Sequence, residues 1–229
     1  AGVEDHVFSS TSTYTNPLKA VEFFKKTGCD ALAISYGTMH GASKGKDVKL
    51  RKEIAIAIKE CMMHENLFGV LVSHGSSTVP KYIVDEINAL GGNIQNAYGI
   101  SIEELKAAIP CGIGKINVDT DIRLAVTRNM KEFFKNNPSK RDSASIGGVY
   151  QLLEEKKDQF DPRAFLPPIM DTVMYGTIKD DDTAALVEVI EKGVKEAIGT
   201  LIVEFGSFGK APLVEQVSLE EMIERYKKM

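Results

Sequence analysis

Apolar residues along this chain fall into two alternating rhythms. Short continuous runs of strand length recur three times: Ala31-Leu32-Ala33-Ile34-Ser35-Tyr36, Gly69-Val70-Leu71-Val72-Ser73 and Gly114-Lys115-Ile116-Asn117-Val118. Between them apolar positions return at helical spacing, as in Leu18, Val21 and Phe24, in Ile54, Ile58 and Cys61, and in Leu124, Val126, Met130 and Phe134. Asn16-Pro17 reads as a helix start and Gly28 as its end. The pattern predicts helices over 48–65, from Pro80 to about Gly91-Gly92, and over 101–109. Strand, polar loop and helix thus follow one another three times, which predicts a parallel sheet covered by helices.

After the third unit the chain reads as mostly helical, with helices near 148–158, 163–175 and 183–204. The last carries a stripe of Leu186, Val189, Ile190, Val194, Ala197 and Leu201. Residues 137–147 read as an exposed insertion, residues 1–15 as a mobile loop, and 211–229 as a C-terminal appendage on a single domain spanning 1–229. The chain opens on a loop-like segment without Met, which is read as part of a longer protein.

The polar residues worth attention gather where the strands end. In parallel sheets that is the end that carries active sites, in (β/α)8 barrels and in doubly wound sheets alike. The first strand ends in Gly37-Thr38-Met39-His40-Gly41-Ala42-Ser43-Lys44, the second in His74-Gly75-Ser76-Ser77-Thr78, the third in Asn117-Val118-Asp119-Thr120-Asp121. Two histidines at neighbouring strand ends suit a zinc ion; the other reading is two unrelated loop histidines. Small residues before a helix start suit a phosphate, although Asp119 and Asp121 also suit plain helix caps. His64 reads as a surface residue at a helix end, and His6 has no role.

Charge and cysteine content narrow the classes. A net charge of −4 gives no footprint for nucleic acid or an anionic membrane, and no apolar run is long enough to span a bilayer. Cys29, Cys61 and Cys111 are far apart and read as reduced core thiols of a cytosolic, hence cytoplasmic, protein.

Three ordered motifs then carry a resemblance: Gly37-Thr38-Met39-His40-Gly41-Ala42, His74-Gly75-Ser76-Ser77 and Lys115-Ile116-Asn117-Val118-Asp119-Thr120-Asp121. With Gly2-Val3-Glu4-Asp5, Phe160-Asp161-Pro162-Arg163 and Phe205-Gly206-Ser207, the chain resembles the class II, zinc-dependent fructose-bisphosphate aldolases over most of its length. The resemblance implies a (β/α)8 TIM barrel, of which this chain holds the last three strands and the C-terminal helices; a whole barrel takes about 250 residues. The five preceding strands carry, in that family, the aspartate base and another zinc-ligating histidine, which have no counterpart here. Met39 and Ser43 stand where the family usually has Ser and often Tyr.

The implied reaction is reversible cleavage of fructose 1,6-bisphosphate into dihydroxyacetone phosphate and glyceraldehyde 3-phosphate, in glycolysis and gluconeogenesis. Zinc acts there as a Lewis acid that stabilises the enediolate. By resemblance, His40 and His74 bind Zn2+, with a monovalent cation held nearby by backbone carbonyls. Gly41, Lys44, Gly75, Ser77 and Thr120 line the phosphate of the ketose half. Asn117 contacts the enediolate, Asp119 the substrate hydroxyls, and Arg123 the far phosphate, unless Arg123 merely pairs with Asp119. Glu4, on the opening loop, assists proton transfer or is an exposed acid. A homodimer or homotetramer is implied. Lys115 leaves open a Schiff-base route, tagatose bisphosphate remains a rival substrate, and a non-catalytic fragment is the third reading.

Overall fold

The computed structural model describes residues 14–38 and 48–227. Helix α1 (Pro17–Thr27) opens as the sequence predicts: the Asn16 side chain accepts from the backbone of Leu18 and Lys19, and Gly28 ends the helix at φ 62°. It buries Ala20, Val21 and Phe24. Leu18 departs from the predicted stripe and is 71% exposed. Strand β1 (Ala31–Ala33) is half as long as its apolar run. Past Ala33 the Ile34 amide still donates to the Val72 carbonyl at 3.2 Å. Ser35 pairs with Thr15 instead, donating to its Oγ1 at 2.8 Å and accepting from its amide at 2.9 Å, and Tyr36 is completely buried.

Helix α2 (Lys52–His64), strand β2 (Val70–Ser73), helices α3 (Lys81–Ala89) and α4 (Ile102–Ala108), strand β3 (Ile113–Ile116) and helix α5 (Thr120–Asn136) follow. The strands form one parallel sheet in the order β1-β2-β3, so β1 and β3 each pair on one side only among the described residues. Leu32 lies opposite Leu71, and Leu71 opposite Ile113. These three share the face that packs with Phe24, Ile58, Met62 and Leu105 in one core. Gly69 permits this closure: a Cβ there would stand 2.5 Å from the Phe24 ring. Truncating so enclosed a phenylalanine costs about 3–5 kcal/mol.

The alternate positions, Ala33, Val72 and Lys115, point to the other face. Ala31, Ala33 and Lys115 are exposed there. Between Ile113 and Lys115 the register shifts by one residue, a bulge at Gly114.

The C-terminal part packs around α5. Helices α6 (Gly147–Glu155), α7 (Met170–Tyr175) and α8 (Asp181–Glu204) follow it. A Cβ on Gly193 would lie 2.9 Å from the backbone of Ala125 and Val126, so glycine lets α8 lie directly on α5. A second core joins Met130, Phe134, Ile146, Leu153, Phe165 and Leu186. Two expectations are corrected here. Residues 137–147 are not simply an exposed insertion: a 3-10 turn over Pro138–Asp142 leads into Ile146, which is fully buried. The helix predicted over 163–175 is broken into two 3-10 turns and α7, because Pro167 and Pro168 withdraw two backbone donors.

Helix α9 (Leu219–Lys227) ends the described chain; its Leu219, Met222, Ile223 and Tyr226 are all exposed, and the Tyr226 hydroxyl donates to Asp30 at 2.8 Å. Cys29, Cys61 and Cys111 are free thiols, partly buried. No described helix is long and apolar enough to cross a membrane.

Candidate active site

The ladder between β2 and β3 continues past the last strand residues. The Asn117 amide donates to the Ser73 carbonyl at 2.9 Å, and the Ser76 amide to the Asn117 carbonyl at 3.4 Å. This brings the side chains of His74 and Asn117 together at the strand ends, with Nε2 and Nδ2 3.0 Å apart. The Lys115 ammonium, two residues before Asn117 and therefore on the same face, donates to Asn117 Oδ1. An ammonium can only donate, so Oδ1 is the accepting end of the amide and Nδ2 the donating end. His74 Nε2 must then accept, which leaves it unprotonated. Lys115 is thus engaged with the Asn117 side chain.

Below His74 a row of buried hydroxyls fixes the strand end. The Ser73 side chain, fully buried, lies 2.5 Å from the Tyr36 hydroxyl and 2.6 Å from that of Ser76. Burial pushes the Tyr36 hydroxyl up from its usual pKa against the pull of the Ser73 hydrogen bond, so Tyr36 stays a neutral partner. Gly75 turns the chain at φ 62°, in the left-handed region.

The following loop and the start of α5 hold each other reciprocally. Ser77 Oγ accepts the backbone N–H groups of Asp119 at 3.2 Å and Thr120 at 3.0 Å, capping the helix from outside. In return the Asp121 carboxylate, 3% exposed, accepts from Thr78 N at 3.0 Å, Thr78 Oγ1 at 2.7 Å and Val79 N at 2.8 Å. Asp119 stands at the cap position but makes no side-chain cap bond. Gly99 seats the loop from the other side, where a Cβ would come within 2.3 Å of Thr78. A cleft of about 590 Å³ lined by Thr78, Val79, Val84, Ile94 and Tyr98 lies on the outer side, away from His74 and Asn117.

A second cluster of charge stands at the first turn of α5. Arg123 grips Asp119 through Nε at 2.8 Å and Nη2 at 2.6 Å, and reaches Asp161 through Nη1 at 2.5 Å. Arg163 holds the same Asp161 carboxylate at 2.6 Å. Burial alone would raise the Asp161 pKa, but the hydrogen bonds from Arg163 and the charge of Arg123 outweigh it and hold the group below the usual carboxylate range.

Of the residues singled out in the sequence, His74, Gly75, Ser77, Asn117, Asp119, Thr120 and Arg123 are described, and the hydrogen bonds above draw them to one end of the sheet. Glu4, His40, Gly41 and Lys44 lie outside the described residues. Ser77 and Thr120 are 5% and 7% exposed, and the Ser77 oxygen already serves α5. The site includes Asp161 and Arg163, to which the sequence reading gave no role, and Asp121, which it read only as a helix cap; for the first two the Phe160-Asp161-Pro162-Arg163 segment was the available signal. For a metal, no three His, Cys, Asp or Glu side chains gather among the described residues. His74 brings a ring nitrogen, Nε2, whose accepting side now faces the Asn117 amide.

Against known proteins, a family model described as fructose-bisphosphate aldolase class-II matches residues 1–210. A fructose-bisphosphate aldolase of Giardia intestinalis is 36% identical over 227 residues, covering 99% of this chain and 57% of that protein. One from Xanthobacter flavus is 33% identical over 212 residues, covering 93% and 49%. The crystal structure of a Campylobacter jejuni fructose-bisphosphate aldolase superposes with a TM-score of 0.49 at 18% identity, covering 84% of this chain and 44% of that one. The chain spans about half the length of the curated relatives it matches.

Proposed function

The chain belongs to the class II fructose-bisphosphate aldolase family, and on that premise we propose that it supplies part of a site that reversibly cleaves fructose 1,6-bisphosphate. The observation that carries this reading is the meeting of His74 and Asn117 at neighbouring strand ends, 3.0 Å apart. Sequential parallel order and an exposed second sheet face support the further reading that the strands form an arc of a (β/α)8 barrel, with the remaining strands supplied by the rest of the protein.

Cleaving the C3–C4 bond leaves charge beside a carbonyl, and a zinc ion held by His40 and His74 would supply the Lewis acid that stabilises it. The chain's own residues do the rest of the positioning. Asn117, oriented by Lys115, offers an amide donor where negative charge develops. Asp119 and Arg123 are paired with each other here, as the alternative reading of Arg123 has it, so Asp119 would reach substrate hydroxyls and Arg123 the far phosphate only by exchanging that partner. Arg163, tied to the same Asp161, adds a second cation there. Gly75, Ser77 and Thr120 are assigned to the near phosphate on the resemblance; the amides of Thr78, Asp119 and Thr120 already donate to Asp121 and Ser77. Glu4 is assigned to proton transfer, and Gly41 and Lys44 to the near phosphate, on the resemblance alone.

The deciding experiment uses the full-length protein. His74→Ala should remove bound zinc and lower turnover of fructose 1,6-bisphosphate by at least about 100-fold. Unchanged zinc content together with unchanged turnover sinks the ligand assignment. Relative kcat/KM for the fructose and tagatose bisphosphates settles the substrate.

A further inference from the structure

Val79 is a β-branched residue held at φ 51°, in the left-handed region that such side chains avoid. Its side chain is 4% exposed and belongs to the core formed with Ile83, Ile87, Leu124 and Ala125. Backbone strain of this kind persists only where neighbours enforce it. Here the enforcing group is the Asp121 carboxylate: Oδ1 accepts the Val79 N–H at 2.8 Å, while Oδ2 takes both the N–H and the hydroxyl of Thr78. Asp121 is 3% exposed and both its oxygens are taken by Thr78 and Val79, so it does not present a carboxylate to a substrate.

Ser77 completes the arrangement from the opposite side, through the amides of Asp119 and Thr120. The loop that carries His74 and Gly75 is thereby bolted to the helix start that carries Asn117, Asp119 and Arg123. Two donors leave the helix for the loop, and three leave the loop for the helix. A shift of either segment would change the spacing between His74 and Asn117.

We infer that Asp121 is a positioning residue for the active site, acting by holding Val79 in its left-handed conformation so that the strand-end loops keep their mutual register. This rests on the aldolase reading for its effect on turnover, but not for its structural core. Asp121→Asn keeps the size and one accepting oxygen but presents an NH2 group to an N–H or hydroxyl that now donates to the carboxylate.

The test uses the full-length protein, at a temperature where every variant is fully folded. Amide hydrogen exchange comes first. In Asp121→Asn the Thr78 and Val79 amides should exchange roughly 10- to 100-fold faster, with α3 and α5 amides unchanged. Unaltered protection of Thr78 and Val79 overturns the inference whatever the enzyme does. Turnover comes second. Asp121→Asn should lower kcat on the order of 100-fold. Adding Val79→Gly should restore most of it, because glycine adopts the left-handed conformation unaided. Glycine there also empties a buried position and lowers thermal stability, so recovered turnover cannot come from recovered stability. Failure of Val79→Gly to rescue, with exchange at Thr78 still accelerated, overturns the link from clasp to catalysis. If the wild-type protein cleaves no ketose bisphosphate, the functional reading falls and the exchange result alone decides the clasp.

Discussion

His74 and Asn117, forty-three residues apart in sequence, face each other 3.0 Å apart at the ends of adjacent strands. The contact has a direction, because Lys115 occupies the oxygen of the Asn117 amide and leaves only its NH2 group for the imidazole.

That direction predicts a tautomer. In protein carrying 15N-labelled histidine and stripped of metal, the His74 ring should be protonated at Nδ1 and bare at Nε2. Lys115→Met frees the amide to flip, and the ring should then populate both tautomers. A wild-type spectrum with the proton on Nε2 would contradict the network.

The paired arginines predict a division of labour. Arg123→Ala should raise KM for the bisphosphate roughly 10- to 100-fold, the worth of a lost charged hydrogen bond, with a smaller change in kcat. Arg163 is far more exposed, its side chain at 70% against 28% for Arg123. Arg163→Ala should therefore raise KM less. Equal KM values for wild type and Arg123→Ala would remove Arg123 from the phosphate site.

Asp161 predicts an acid sensitivity. Its folded pKa lies below the ordinary value of 3.8. A depressed carboxylate contributes stability that is present above its unfolded pKa and lost as pH falls through the folded one. Thermal stability should thus decline below about pH 4, and Asp161→Asn should flatten that part of the profile. An identical acid limb in the variant would assign the decline to other groups.

Gly99 predicts a steric limit. A methyl group there would lie 2.3 Å from the Thr78 carbonyl, which is backbone and cannot rotate aside. Gly99→Ala should cost about 1–3 kcal/mol of unfolding free energy as the loop is pushed from its seat. Denaturant titration measures it; a loss under about 0.5 kcal/mol, the range of neutral surface changes, would mean the loop yields freely.

The helices and the parallel sheet were legible because their signals are local. Asn16-Pro17 and Gly28 mark the two ends of one helix, and each strand run stands between turn residues. The limits of β1 were not, since Ser35 gives its amide and carbonyl to Thr15, twenty residues away, and that pairing is tertiary. The break at Pro167-Pro168 was local and was overridden by the surrounding helical pattern. At the site, His74, Asn117 and Asp119 could be placed at one end of the sheet because they follow the strand runs, whereas Arg123 entered only through the resemblance. The bond from Asp121 to Val79 could not: its partners are 42 residues apart, and the carboxylate reads equally well as a helix cap. For the same reason Ser77 read as lining the phosphate, although its oxygen caps a helix that lies beyond α3, α4 and β3.

The sheet also carries built-in protection against sticking to other chains. Strands β1 and β3 each leave one flank unpaired among the described residues, and an unpaired flank is a template for foreign strands. One flank belongs to a strand of three residues, too short to seed a ladder; the other is kinked by the Gly114 bulge and guarded by the Lys115 charge. A folding intermediate that exposes these flanks would therefore resist fibrous self-association.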